Sequence, residues 1–146
     1  DKHKPAVVIA TGVSSKAPDI CVERVAINMG SADGGPNFGF DSLDQVLNPD
    51  GPAAYWSTLP VRDIVEAIKS KNIPARISNS AGTQGCNLVF YHLMDYIAEK
   101  LMRIPAGVIH IPRLPENAVG INNPSMSLLT SARALEEAVC LVANRL

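Results

Sequence analysis

Residues 76–91 read RISNSAGTQGCNLVFY, and their pattern changes from that of a strand to that of a helix. The apolar, strand-like start follows Pro74 and breaks at a run of small residues with glycines at positions 82 and 85. Apolar residues then recur at the i, i+3, i+4 spacing of a helix, at positions 89, 90, 93, 94, 97 and 101. The stretch therefore predicts a strand, a tight glycine turn and a helix, with Cys86 at the helix N-terminus.

This placement makes Cys86 a candidate nucleophile. The first turn of a helix has unpaired backbone N–H groups and the positive end of the helix dipole, and both favour a thiolate over a thiol. The alternative is a buried cysteine that packs as a small hydrophobic residue, as free cysteines commonly do. The turn alone leaves both interpretations open until a partner residue is identified.

Strand and helix patterns alternate along the chain. Apolar runs predict strands at 6–10, 22–28, 74–79 and 106–112, and helix-period runs predict helices at 60–71, 86–102 and 127–144. This alternation is typical of an α/β fold, with helices on both faces of a mostly parallel sheet and sites beyond the carboxyl ends of its strands. The Gly- and Asp-rich residues 30–51 predict a long loop with at most a short hairpin around Phe38 and Phe40.

Composition argues against several classes of protein. The chain has 146 residues, a formal net charge of −1 and no basic stripe, so a nucleic-acid partner is not expected. No apolar window approaches the ~20 residues of a membrane-spanning helix. The three cysteines, Cys21, Cys86 and Cys140, lack CxxC spacing, which suits a reducing cytoplasm better than a disulfide framework. Cys140 lies within the apolar pattern of the last helix, so Cys86 is expected to be the reactive thiol.

A cysteine nucleophile needs a base, and His110 is the best-placed histidine. It ends an apolar strand before a proline, whereas His3 lies in a polar cluster near the chain start and His92 lies inside a predicted helix. Glu23 is the acid expected to lie low in the sheet and orient the imidazole. The alternative for His110 is a buried histidine bonded to backbone, and the alternatives for Glu23 are an ion pair with Arg24 or a position on the surface. The sequence has no metal-binding spacing, no phosphate-binding loop and no GxSxG motif.

Four blocks of the chain resemble, in order, the pyrrolidone-carboxylate peptidase family, also called pyroglutamyl peptidase I. They are ERVAIN at 23–28, GPAAYW at 51–56, SAGTQGCN at 80–87 and GVIHIP at 107–112. The resemblance implies a three-layer α/β/α sandwich with a mostly parallel (mixed) sheet. It implies a cytoplasmic, often oligomeric cysteine peptidase that removes N-terminal pyroglutamate from peptides without a metal or cofactor. It assigns Cys86 as nucleophile, His110 as base and Glu23 as the orienting acid.

The chain departs from the family pattern around the substrate pocket. Gln84 and Gly85 stand where the family has an aromatic and an aliphatic pocket residue, and they are the expected substrate-binding residues here. Asp33 takes the position of a family arginine near the reacting carbonyl, and Leu88 takes that of a preferred histidine. Residues 12–17, GVSSKA, replace a Gly-Gln-x-Gly-Gly-Arg-like loop.

The resemblance covers nearly the whole chain but lacks the family's leading segment. We therefore expect residues 1–146 to be a single domain that corresponds to the C-terminal two-thirds of the family's α/β domain. Weak activity is expected for this chain alone, together with association with a second copy or with a chain that carries the leading segment.

Three functions remain open. The first is a cysteine hydrolase of the pyroglutamyl peptidase type. The second is a diverged, weakly active or inactive relative that serves as a binding or assembly module, and the third is a cysteine hydrolase with a shifted substrate. The three dispersed residues of the triad favour a hydrolase, because a chain that has lost its chemistry has no reason to retain them.

Overall fold

The structure, a computed structural model, describes residues 4–31 and 44–146. Within these ranges the strands are β1 (Val8–Ser14), β2 (Ile20–Glu23), β3 (Val25–Ile27), β4 (Ala54–Trp56), β5 (Ala75–Ser78) and β6 (Ala106–Pro112). The helices are α1 (Val61–Ser70), α2 (Gly85–Glu99) and α3 (Leu128–Ala143), with a short 3-10 helix at Pro115–Asn117. The predicted hairpin around Phe38 and Phe40 lies outside the described residues, as does Asp33.

The main sheet has the strand order β1-β6-β2-β5. β1 is parallel to β6 and β2 is parallel to β5, whereas β2 runs antiparallel to β6. β3 and β4 form a separate antiparallel pair. The prediction of a mostly parallel, mixed sheet is confirmed.

Helices cover both faces of the main sheet. α1 and α3 pack together on one face, around a core that includes Ile20, Ile64 and Ile109. α2 packs on the other face, where Phe90 and Val108 belong to a second core. Ile109 and Val108 are neighbours in β6, and they reach different cores because successive strand side chains point to opposite faces. This arrangement confirms the three-layer α/β/α sandwich.

The single strand predicted at 22–28 is two strands in different sheets. β2 ends at Glu23 and β3 begins at Val25, and the chain changes sheets at Arg24. The Arg24 N–H donates to the Ser78 carbonyl in the main sheet at 2.8 Å, while its carbonyl accepts from the Ser57 N–H at 2.9 Å. An apolar run in the sequence does not show where its backbone hydrogen bonds change from one sheet to another. The prediction of a single strand was therefore wrong.

β1 is also later and longer than predicted. The sequence pattern places this strand at 6–10, followed by a loop, but its pairing with β6 continues to the Ser14–Pro112 register pair. In the second half of β1, Thr11 and Val13 are exposed, and this strand lies at the edge of the four-stranded sheet. The short strand β4 was not predicted.

The three helices and β6 are confirmed to within a few residues. α3 begins after Ser127, whose side chain accepts a hydrogen bond from the Thr130 N–H and so caps the helix. Within the described ranges, no helix combines the length and apolar character needed to cross a membrane.

Candidate active site

Two neighbouring strands and the start of one helix bring the predicted catalytic side chains together. In β6, Val108 packs against α2, so the alternation of side chains places His110 on the same face of the sheet. β2 lies beside β6, and its Val22 packs on the opposite face, so Glu23 also points toward the α2 side. Cys86 is the second residue of α2. The three residues therefore meet where α2 begins, over the middle of the sheet.

The turn that leads into α2 has the glycine chemistry predicted from the sequence. Gly82 has a φ of +80°, in the left-handed region that glycine adopts without strain. Gln84 is the N-cap residue, and its carbonyl accepts the first intrahelical hydrogen bond from the Leu88 N–H at 3.0 Å. The first turn contains no acidic residue, so no carboxylate there offsets the positive end of the helix dipole beside Cys86.

His110 and Glu23 form a buried hydrogen-bonded pair. His110 Nδ1 lies 2.8 Å from Glu23 Oε1, and the two residues are only 4% and 2% exposed. A carboxylate this deeply buried requires a proton donor, which the Nδ1–H group supplies. This contact orients the ring and leaves Nε2 as its second functional atom.

Cys86 is half-buried and lies next to His110. The close approach of the His110 ring lowers the pKa of the Cys86 thiol, although burial opposes this by raising it. Burial would lower the pKa of His110, but the contacts with Cys86 and Glu23 outweigh it and raise that pKa to about 9. The contact between the two residues is loose, since His110 Nε2 makes no hydrogen bond of standard geometry to any described residue. The arrangement favours a thiolate beside an imidazolium.

The other two cysteines lie in different environments. Cys21 is buried, its thiol donates to the Asp19 carbonyl at 3.6 Å, and burial raises its pKa to about 11. Cys140 is exposed, contrary to the interpretation of the apolar pattern in α3. α3 buries a seam of small side chains such as Ala138, whereas larger apolar residues such as Leu129 remain exposed. Burial therefore shields the Cys21 thiol from reagents in solution but does not shield the Cys140 thiol.

Asn87 has a structural role that sequence reasoning did not assign. Its Oδ1 accepts a hydrogen bond from the Ile27 N–H at 3.0 Å, and its Nδ2 donates to the carbonyls of Ile27 and Met29, each at 2.9 Å. The side chain is only 1% exposed. These bonds attach the first turn of α2 to β3 and so hold Cys86 in place. The sequence offered one signal for this role, which is a polar residue directly after the candidate nucleophile.

A cavity of about 740 Å³ opens beside the Cys86–His110 contact. Gln84 and Gly85, the predicted substrate-binding residues, both line it. Most of its other lining side chains are small or apolar: Ala10, Val13, Ala81, Leu88, Val89 and Val108. Such a cavity suits a small, mainly apolar group that makes a few polar contacts. In 4–31 and 44–146, no group of three or more His, Cys, Asp or Glu side chains is placed to hold a metal ion.

Comparison with known proteins supplies the family. The family model described as pyroglutamyl peptidase matches residues 1–145. The chain belongs to the pyroglutamyl peptidase family. This confirms the resemblance seen in the four sequence blocks.

Individual relatives agree with this assignment. The chain is 44% identical over 139 residues to pyrrolidone-carboxylate peptidase 1 of Caldanaerobacter subterraneus subsp. tengcongensis, covering 94% of this chain and 68% of that protein. It is 43% identical over 143 residues to pyrrolidone-carboxylate peptidase of Bacillus subtilis, covering 98% and 66%. Together with a relative from Brevibacillus brevis, these show that the chain spans 65–68% of the length of the curated relatives it matches.

Solved structures of the family have the same fold. The pyroglutamyl peptidase I from Bacillus amyloliquefaciens superposes with a TM-score of 0.93 at 42% identity, covering 97% of this chain and 68% of that one. The pyrrolidone carboxyl peptidase from Thermococcus litoralis gives a TM-score of 0.92 at 36% identity, covering 98% and 68%.

Proposed function

We propose that this chain carries the catalytic residues of a cysteine peptidase that removes N-terminal pyroglutamate from peptides. One observation carries the proposal: Glu23 holds the His110 ring at 2.8 Å, and that ring lies beside Cys86 at the start of α2. Named relatives that are pyrrolidone-carboxylate peptidases support the choice of substrate. The alternative of a binding or assembly module is not favoured.

The reaction begins with attack of the Cys86 thiolate on the carbonyl carbon of the peptide bond that joins pyroglutamate to the next residue. A carbon–sulfur bond forms while the carbonyl electrons move to oxygen. The backbone N–H groups of Gly85 and Cys86 have no acceptor within α2 and are available to this oxyanion. In well-studied hydrolases one such donor is worth about 3–4 kcal/mol.

His110 then moves the protons. As the carbon–nitrogen bond breaks, the imidazolium gives its Nε2 proton to the leaving amine, and a thioester remains on Cys86. Neutral His110 next takes a proton from a water molecule that attacks the thioester. The carbon–sulfur bond breaks, pyroglutamate leaves, and the thiolate and imidazolium are restored. Throughout the cycle Glu23 orients the ring and stabilises its charged form.

Gln84 and Gly85 are the proposed substrate-binding residues. They line the cavity beside Cys86 together with apolar side chains. A pyroglutamyl ring has an apolar edge and one lactam group, and the amide of Gln84 offers both a donor and an acceptor to such a group. A cytoplasmic location remains a prediction. So does association with a second copy or with a chain that carries the rest of the domain.

Hydrolysis of a pyroglutamyl-aminocoumarin substrate tests the proposal. Weak but measurable turnover is expected for the unaltered chain, with near-complete loss in Cys86→Ser and in His110→Gln at unchanged circular dichroism. Cys140→Ser is the matched control for the cysteine change, because Cys140 is exposed on α3 and far along the chain from the cavity residues. Turnover that survives Cys86→Ser, or its absence from the unaltered chain, would contradict the proposal.

A further inference from the structure

Gly12 lies directly against the contact between Cys86 and His110. It belongs to β1 and pairs in register with His110 of β6, on the face that carries Ala10 toward α2. A Cβ atom at this position would lie 3.1 Å from His110 Cδ2, 3.3 Å from His110 Nε2 and 3.3 Å from Cys86 Sγ. Carbon atoms normally pack at about 3.5–4.0 Å, so a side chain here would press on both residues at once.

We propose that Gly12 is a positioning residue, whose missing side chain lets the Cys86 sulfur and the His110 ring meet against the backbone of β1. The inference rests on the role proposed above for that pair. The φ angle of Gly12 lies outside the left-handed region, so alanine can adopt the same backbone. Space, and not backbone conformation, is therefore the reason for glycine at this position.

A methyl group at this position would displace Cys86 more readily than His110. The His110 ring is held by its 2.8 Å hydrogen bond to Glu23, and its strand lies between β1 and β2 in the sheet. Cys86 is half-buried at the end of a helix, so its side chain has more freedom to move. The added methyl group would therefore separate the sulfur from His110 Nε2.

This separation has a measurable electrostatic consequence. Among the described residues, the charged groups that act on the Cys86 thiol are His110 on β6 and Glu23 on β2. His110 lowers the pKa of the thiol, and Glu23 raises it. A sulfur moved away from the imidazolium loses the favourable contribution, so its pKa rises in Gly12→Ala.

The test is the pH dependence of Cys86 alkylation by iodoacetamide, followed by peptide mass mapping. In Gly12→Ala the midpoint of the profile is expected to move up by about one pH unit, which lowers the rate about tenfold at any pH below both midpoints. The rate at high pH, where the thiolate is formed in both proteins, is expected to change by less than about twofold. Ile9→Val is the matched control on β1, because Ile9 packs against the opposite core.

Two results would overturn the inference. One is an unchanged alkylation profile in folded Gly12→Ala, and the other is an equal shift in Ile9→Val, which would indicate general loosening of β1. Thermal unfolding gives a second measurement that does not require the alkylation rate. Gly12→Ala should lower the thermal unfolding midpoint less in a Cys86→Ala background than in the parent protein. An equal decrease of the unfolding midpoint in both backgrounds would also overturn the inference.

These measurements use no pyroglutamyl substrate. A chain that fails the coumarin assay but shows the expected alkylation shift would therefore refute the proposed substrate while supporting the role of Gly12.

Discussion

Replacing Glu23 with glutamine removes the carboxylate that holds the His110 ring while keeping the size of the side chain. The Nδ1–Oε1 distance is 2.8 Å and both residues are almost fully buried, so solvent screens this interaction little. The rise of the His110 pKa from 6.5 to about 9 corresponds to about 3 kcal/mol in favour of the imidazolium. Cys86 and Glu23 share this effect, and burial opposes it.

We therefore expect Glu23→Gln to lower the pKa of His110 by about one to two pH units, which is on the order of 1–3 kcal/mol. NMR titration of the ring protons measures this directly, since the chain has only three histidines. Turnover should fall by about 10²- to 10⁴-fold and remain detectable, as is found when the orienting member of a triad is replaced. The alkaline limb of the rate profile should move to lower pH.

Glu23→Gln is also expected to change how the stability of the fold depends on pH. Because the folded-state pKa of His110 is raised, its protonation stabilises the fold fully below about pH 6.5, and this contribution is lost as the pH rises through about 9. The free energy of unfolding should therefore differ more between the two proteins at pH 6 than at pH 9.5. Glu66→Gln, the same change at an exposed position, serves as control. An unchanged His110 pKa in Glu23→Gln would refute this account of the pair.

The remaining predictions concern reactivity, stability and assembly. At pH 6 iodoacetamide should label Cys86, whose thiol pKa is lowered by His110, faster than the buried Cys21 and the exposed Cys140. Peptide mapping that shows either of the other two cysteines modified first would contradict this. Asn87→Ala should lower the free energy of unfolding by about 2–4 kcal/mol in urea titrations, because it removes a buried side chain and leaves part-buried backbone groups of Ile27 unpaired. A loss below about 0.5 kcal/mol would contradict this prediction. Sedimentation should detect a dimer or larger assembly, and a monomer at every concentration would contradict that expectation.

Local periodicity was sufficient to predict the helices and the last strand of the sheet. Apolar residues at 3.6-residue spacing place one face of α1, α2 and α3 toward a core, and this property depends only on residues a few positions apart. The chemistry of single residues was also visible, because a cysteine after a glycine turn and a histidine in an apolar strand are unusual in any setting. The candidate residues Cys86, His110 and Glu23 could therefore be named before any contact between them was known.

The contacts between distant segments could not be predicted in this way. The change of sheet at Arg24 depends on hydrogen bonds to Ser78 and Ser57, which lie far along the chain. The exposure of Cys140 depends on which side of α3 packs against α1, and several sides of this helix are apolar enough to do so. Gly12 and His110 become neighbours only because β1 pairs with β6 in one register, and a shift of one residue would turn the glycine to the other face. Strand order and register are set by the packing of the whole chain, so the clearance around the reactive sulfur appears only once the sheet has formed.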